Sequence, residues 1–437
     1  MANLISDMAR SIGLPRLKRA AGVVTRRLPI PQPVLCVGPG SAGRLGRTVG
    51  DLGHHKVMLV TDADVARLGL HRTVLDALVA AGTPVVVFDA VTADAPIACI
   101  EQGIALFGAQ GCDAVVAVGG GSVMDAAKVI ALCAANGKHP RDLVGYFKAR
   151  RAPAPIYAVP TTAGTGSEVT VAAVVSDPAE GSKRVIADTR LVPTLAALDP
   201  DLMMALPPAI TAATGMDALT HAIEAYIGGW ATPYTDRMAL AAVGMIFKNL
   251  PLVCHDGSNR QAREQMALAS CFAGLAFTRA NVGNVHAIAH QLGGKYHTPH
   301  GLANAIVLPG VLRFAAAETA PQLAALAVRA GLGVPHDGQA TLAARFLDGV
   351  EALSRTVGIP GHLAALQAAD IPALAAAACW EADTQYPVAR RMTQQACEAL
   401  LQAVLAPQPP TKAARKPRTL AAAKRPRRAT MGHEQTP

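Results

Sequence analysis

The stretch "DAVVAVGGGSVMDAAKVIALCAA", residues 113–135, restricts the fold more than any other part of this chain. A run rich in β-branched residues meets three glycines and passes into apolar positions at helical spacing, which predicts strand, tight turn and helix in succession. The same order recurs around "KVMLVTD", "TPVVVFD" and "PIYAVPTT", with helical segments such as "VARLGLHRTVLDALVAAG" between them. Strands alternating with helices predict a parallel sheet covered on both faces. Ligands of such sheets sit beyond the carboxyl ends of the strands.

After "LDPDLMMALPP" the pattern changes to Ala- and Leu-rich amphipathic segments with few strand signals. We therefore divide the 437 residues into an N-terminal extension (1–32), an α/β domain (33–208), an all-α domain (209–405) and a basic tail (406–437), with Pro207-Pro208 as the hinge. No uninterrupted apolar run reaches the roughly 18 residues that span a bilayer, so no membrane partner is expected. The eight cysteines are scattered, without a CxxC pair, which favours a reducing compartment and a cytoplasmic location.

The formal charge of +9 belongs to the ends of the chain. Residues 1–28 carry a net +5 and residues 405–437 a net +7, leaving the body at −3. The N-terminal segment is Arg-rich, as transit peptides are, but Pro15 and Asp7 favour a plain extension. The Pro-, Ala- and Lys/Arg-rich tail reads as disordered. It has no aromatic residue for base stacking, so nucleic acid is expected to bind it non-specifically at most.

Gly119, Gly120 and Gly121 let the backbone approach a ligand, and the helix N-terminus after them offers free N–H groups to a pyrophosphate. Ser122 has two readings, ligand contact or helix cap, and Asp125 with Lys128 also reads as a surface pair. A second loop, "AVPTTAGTGSEVT", supplies the hydroxyls of Thr161, Thr162, Thr165 and Ser167. Asp62, ending "KVMLVTD", either accepts from an adenosine ribose, favouring NAD over NADP, or caps the helix that follows.

Asp217 and His221 stand four apart in "TGMDALTHAIEAY", on one face of a helix, where they suit zinc or ferrous iron. Thr214 with Asp217 equally reads as a helix-capping pair. In "NVHAIAHQLGGKYHTPHG", spacing alone selects His286 and His290 as a chelating pair, with His297 and His300 nearby.

Together "GGGSVMDAAK", "PTTAGTGSE", "GMDALTHAIEAY" and "VHAIAHQLGGKYHTPHG" resemble the iron-containing (group III) alcohol dehydrogenases over residues 33–404. The resemblance implies a dehydroquinate synthase-like fold: an α/β dinucleotide-binding domain, an all-α metal-binding domain and an active site in the cleft between them. It implies NAD and a divalent metal, Fe²⁺ before Zn²⁺, as cofactors. The implied metal ligands are Asp217, His221, His286 and His300, with His290 as proton relay and His297 at the surface or behind the ligands. The implied cofactor contacts are Asp62, Gly119, Gly120, Gly121, Ser122, Asp125, Thr161, Thr162, Thr165 and Lys183. Asp94 falls where some members carry a cofactor-contacting Asn.

The activity implied is hydride transfer between NAD(H) and an alcohol or carbonyl, in a dimer or larger homo-oligomer. A dehydroquinate synthase-like lyase is the alternative, but segment 209–300 lacks the clustered Lys/Arg that a phosphorylated sugar acid requires. Arg279 and Asn284 replace residues that are usually small or apolar in the family. Arg279 near the cleft would favour a carboxylate-bearing substrate, whereas an Arg turned to solvent or to a subunit interface would not.

Overall fold

Val57–Asp62 (β2) and Ala114–Gly119 (β4) lie side by side in the middle of a six-stranded sheet, and every residue of β4 is buried. Val, Ile and Ala on both faces of a strand leave no face for water, so helices must cover both sides. In the computed structural model, which describes residues 22, 27–177 and 182–407, they do. The targeting reading of residues 1–28 and the disorder of the tail fall almost wholly outside the described residues.

The other strands of this sheet are β1 (Val34–Val37), β3 (Val85–Val91), β6 (Ile156–Pro160) and β9 (Leu195–Leu198). The order is β1-β9-β6-β4-β2-β3 with every pair parallel. Helices α1 (Ser41–Asp51), α2 (Arg72–Ala80), α3 (Ile97–Ala109) and α4 (Gly121–Asn136) make the crossovers. From β2 the chain winds to one edge, and from β4 to the other. The crevice at this switch point lies beyond Asp62 and Gly119, where the sheet's geometry favours a ligand.

The alternation did not foretell a second, three-stranded sheet of β5 (Gly145–Tyr146), β7 (Ala172–Asp177) and β8 (Ser182–Ala187). Its β7–β8 pair is antiparallel and half exposed, so it lacks the continuous apolar run of the parallel strands. It carries Lys183.

The second half of the chain is helical: α5 (Pro208–Ile227), α6 (Pro233–His255), α7 (Arg260–Ala280), α8 (Asn284–Tyr296), α9 (His300–Arg329), α10 (Gln339–Thr356), α11 (Ile371–Gln385) and α12 (Gln394–Ala403). Helix α5 packs on α6, α7 and α9, and small residues such as Ala212, Gly215, Ala218, Ala222 and Ala225 on its buried face let the backbones come close. Pro208 opens α5 at its first turn, where the missing N–H costs nothing. Helices α6 and α9 are long and apolar enough by length and composition to cross a bilayer, although neither is an uninterrupted apolar run. Both pack into this helical core, where the same composition serves.

Candidate active site

Four donor groups converge between α5, α8 and the first turn of α9. One ligand atom each from Asp217, His221, His286 and His300 all lie within 4.8 Å of one another. Asp217 and His221 are one turn apart on a helix buried almost all round, so a polar face can exist there only if its groups are partnered. Glu224 extends that face. Its carboxylate accepts from Gly283 N at 2.8 Å, Val285 N at 2.7 Å and His286 Nδ1 at 2.6 Å. Thus α5 secures the start of α8, and His286 has its proton on Nδ1 and its Nε2 lone pair turned inward.

Asn304, one turn after His300, marks where these lone pairs meet. Its Nδ2 donates to Asp217 Oδ1 at 2.7 Å and lies 3.2 Å from Nε2 of both His286 and His300. His221 stacks on Phe277, with ring centroids 4.1 Å apart, and its buried Nδ1 has no hydrogen-bond partner. A buried, unpartnered imidazole nitrogen is costly unless something else satisfies it.

Burial, reinforced by neighbouring imidazoles, holds His286 and His300 well below the usual histidine value of 6.5. Burial works against ionisation of Asp217, but the surrounding imidazoles and the Asn304 amide prevail and keep its pKa below the ordinary carboxylate range. Neutral imidazoles beside an ionised carboxylate are the protonation states in which these groups ligate a metal. The donor set therefore fits a divalent ion.

His290, one turn after His286, faces the same cavity but is tied elsewhere. Its Nδ1 is 2.6 Å from Glu381 Oε1 on α11, and Glu381 also accepts from Tyr386 Oη at 2.6 Å and Gln291 Nε2 at 2.7 Å. His290 is thus placed beside the four-donor cluster rather than within it. His297 is exposed and ends α8 in a left-handed conformation, as the surface reading expects. Thr214 lies inside α5 and bonds back to Ile210 O, so it is not the capping residue that its spacing with Asp217 suggested.

A cavity of about 310 Å³ joins this cluster to the phosphate-type loops, with Gly121, Ser122, Asp125, Thr165 and Lys183 in its wall. Gly121 must be glycine here, because a Cβ would stand 2.7 Å from the Thr165 methyl and push the two loops apart. Gly119, Gly120, Thr161, Thr162 and Asp62 lie outside the lining. Thr161 N bonds to Gly119 O at 3.0 Å, and Asp62 accepts from Val65 N at 2.8 Å as the cap of a short helix.

Two readings of the first loop need correction. Ser122 does not cap α4; its Oγ accepts from Asp94 N at 3.0 Å. Asp125 and Lys128 are not a surface pair. Lys128 is buried and donates to Ser167 Oγ, Thr170 O, Thr170 Oγ1 and Ala172 O, while Asp125 accepts from Ser167 Oγ at 2.8 Å and Val174 N at 2.9 Å. One carboxylate oxygen of Asp125 therefore holds the second loop and the other holds strand β7.

Glu168, in the same loop, is buried, and burial pushes its carboxyl from 4.5 to about 7 against the pull of its own backbone N–H and Lys128. A folded-state pKa above the unfolded one means that its contribution is fully present below pH 4.5 and is lost as pH rises through 7. Glu168→Gln should accordingly stabilise the protein by about 3 kcal/mol at pH 8 and change little at pH 4. Denaturant unfolding at the two pH values checks this.

Residues 32–200 match the family model described as iron-containing alcohol dehydrogenase, and residues 211–405 match the Fe-containing alcohol dehydrogenase family, C-terminal. The chain belongs to this family. The dehydrogenase is 38% identical to the NAD-dependent methanol dehydrogenase of Bacillus methanolicus over 332 residues, 76% of this chain and 87% of that one. It is 41% identical to the 1,3-propanediol dehydrogenase of Klebsiella pneumoniae over 342 residues, 77% and 88% of the two chains. Among solved structures, a 1,3-propanediol oxidoreductase superposes with a TM-score of 0.83 at 38% identity, covering 86% of this chain and 98% of the other. The parallel-sheet and helical halves are thus those of the dehydroquinate synthase-like fold of the family.

Sequence reasoning missed Glu224, Asn304 and Glu381. The first two had a signal, since Glu224 follows His221 by three residues and Asn304 follows His300 by four, each on the same helical face. Glu381 had none, lying 91 residues from His290. Arg279 of the dehydrogenase lines the cavity, as one of its two readings required. Its Nη2 donates to Ile30 O at 2.7 Å and its guanidinium carbon lies 5.4 Å from the Tyr234 ring centroid, so it fastens the N-terminal segment to the cavity wall. Leu28 and Ile30 of that segment line the cavity too.

Proposed function

We propose that this dehydrogenase moves a hydride between NAD(H) and a primary or secondary alcohol or its carbonyl, with a divalent ion held by Asp217, His221, His286 and His300. The convergence of one carboxylate and three imidazoles on a single point carries the reading. When bound, the ion supplies Lewis-acid stabilisation of negative charge on the substrate oxygen, and the dinucleotide supplies the hydride acceptor. The turn at Gly119–Ser122 and the N-terminus of α4 would take the pyrophosphate, and Thr161, Thr162 and Thr165 the neighbouring oxygens. Asp62 has one carboxylate oxygen free of the Val65 cap with which to accept from the adenosine ribose, favouring NAD.

His290 serves as the proton relay. With Nδ1–H given to Glu381, its Nε2 has the lone pair that can take the alcohol proton or return it to the alkoxide. Glu381 fixes that tautomer, and Tyr386 in turn orients Glu381. The apolar walls of the cavity, Phe277, Val282 and Trp230 among them, exclude water that would compete for the same proton.

Ferrous iron is the ion we assign first, with zinc as the alternative outcome of the assay, because N/O donor sets accept both. We place the enzyme in the cytoplasm, consistent with eight free cysteines, and expect a homodimer. Metal analysis of the purified protein, combined with NADH and NADPH oxidation against aldehydes, ketones and keto acids, tests the function. Bound metal with NADH-dependent reduction of a neutral carbonyl is expected. No metal and no hydride transfer to any carbonyl would overturn it.

A further inference from the structure

The cavity wall near the first glycine loop contains a cation that is already partnered. Lys183 Nζ on β8 lies 2.8 Å from Asp94 Oδ1, and both residues line the cavity beside Gly121 and Ser122. The Lys183 side chain is 13% exposed and that of Asp94 39%, so the pair is only partly screened by solvent. The backbone at Asp94 is held from both sides. Asp94 N donates to Ser122 Oγ, and the carbonyls of Asp94 and Ala95 both accept from Ser176 N. Asp94 itself adopts φ 63°, a left-handed conformation that Asp and Asn tolerate better than most residues.

We propose that Asp94 is a built-in counter-ion that occupies Lys183 and thereby weakens dinucleotide binding. This rests on the function proposed above. A pyrophosphate at the start of α4 brings two negative charges to a wall whose described lysines and arginines are Lys183 and Arg279, and Arg279 donates through Nη2 to the Ile30 carbonyl. Among the described residues Lys183 is the cation beside the glycine loop that can meet it, and the phosphate must share it with the Asp94 carboxylate. Repulsion from Asp94 adds to that competition, since charges a few ångströms apart in a half-dry cleft interact strongly.

Asp94→Asn removes the charge while keeping the left-handed backbone, the bond to Ser122 and an acceptor for Lys183. In a fluorescence titration of the metal-loaded enzyme with NADH, Asp94→Asn should lower Kd about tenfold. Lys183→Ala should weaken NADH binding more in the Asp94→Asn background than in the wild type, because the lysine is then no longer shared. Equal or weaker NADH binding by Asp94→Asn, with unchanged thermal stability, overturns the counter-ion role. If the wild-type enzyme binds no NADH at any concentration, the proposed function itself fails and this inference falls with it.

Discussion

His300→Ala should yield a folded protein that retains little divalent metal and turns over about a thousandfold more slowly, whereas His290→Ala should keep its metal and lose rate alone. His300 is one of the four convergent donors, and its Nε2 lies 3.6 Å from Asp217 Oδ1. Removing one of four donors would leave three protein groups to hold the ion, and loss of Lewis-acid stabilisation is worth several kcal/mol in the barrier. His290 instead points its Nδ1 at Glu381, and losing a general acid–base group costs about a hundredfold to ten-thousandfold. Metal content per chain and kcat, measured on both variants, separate the two roles. Metal lost from His290→Ala and kept in His300→Ala would restore the pair that spacing alone selected, His286 with His290.

Glu224→Ala should have the largest effect on stability, a loss of about 3 to 5 kcal/mol, together with a weakened metal site. The side chain is buried, burial pushes its carboxyl up to about 7, and the backbone N–H groups of Val285, Gly283 and His286 draw it back. Alanine would leave two backbone N–H groups and His286 Nδ1 without an acceptor in a dry interior. His286 would then be free to rotate or change tautomer, turning Nε2 away from the other donors. Glu224→Gln fills the same volume but turns a donor toward one of those N–H groups, so it should fold better than the alanine variant. It should still bind metal about ten- to a hundredfold more weakly. Thermal unfolding and chelator competition on the two variants measure the separate effects. Unchanged metal affinity in both would show that Glu224 only anchors the start of α8.

Much of the site was legible because its residues are local on helices. Asp217 and His221 share a face by spacing, and the glycine turn after β4 announces itself by composition. The same periodicity misled where two positions on one face have different tasks. His286 and His290 are both i and i+4 on α8, yet one is directed by Glu224 on α5 and the other by Glu381 on α11. Asp125 and Lys128 likewise show helical spacing, but whether a helix face meets solvent or another loop is not a local property. Here it meets the Ser167–Ala172 segment, and a surface pair becomes a buried bracket.

The sequence by itself determined the α/β-then-helical order, the positions of the glycine loops and the residue types able to hold a metal, because these follow from periodicity and side-chain chemistry within a few residues. Spacing left open which histidine joins the donor cluster, and the family motifs assigned His300; only the tertiary structure decided that Arg279 secures the N-terminal segment and that Lys183 meets the cleft already paired with Asp94. Each of these depends on a partner 89 to 249 residues away or on a helix packed from elsewhere, and no periodicity within one element records which distant element folds against it.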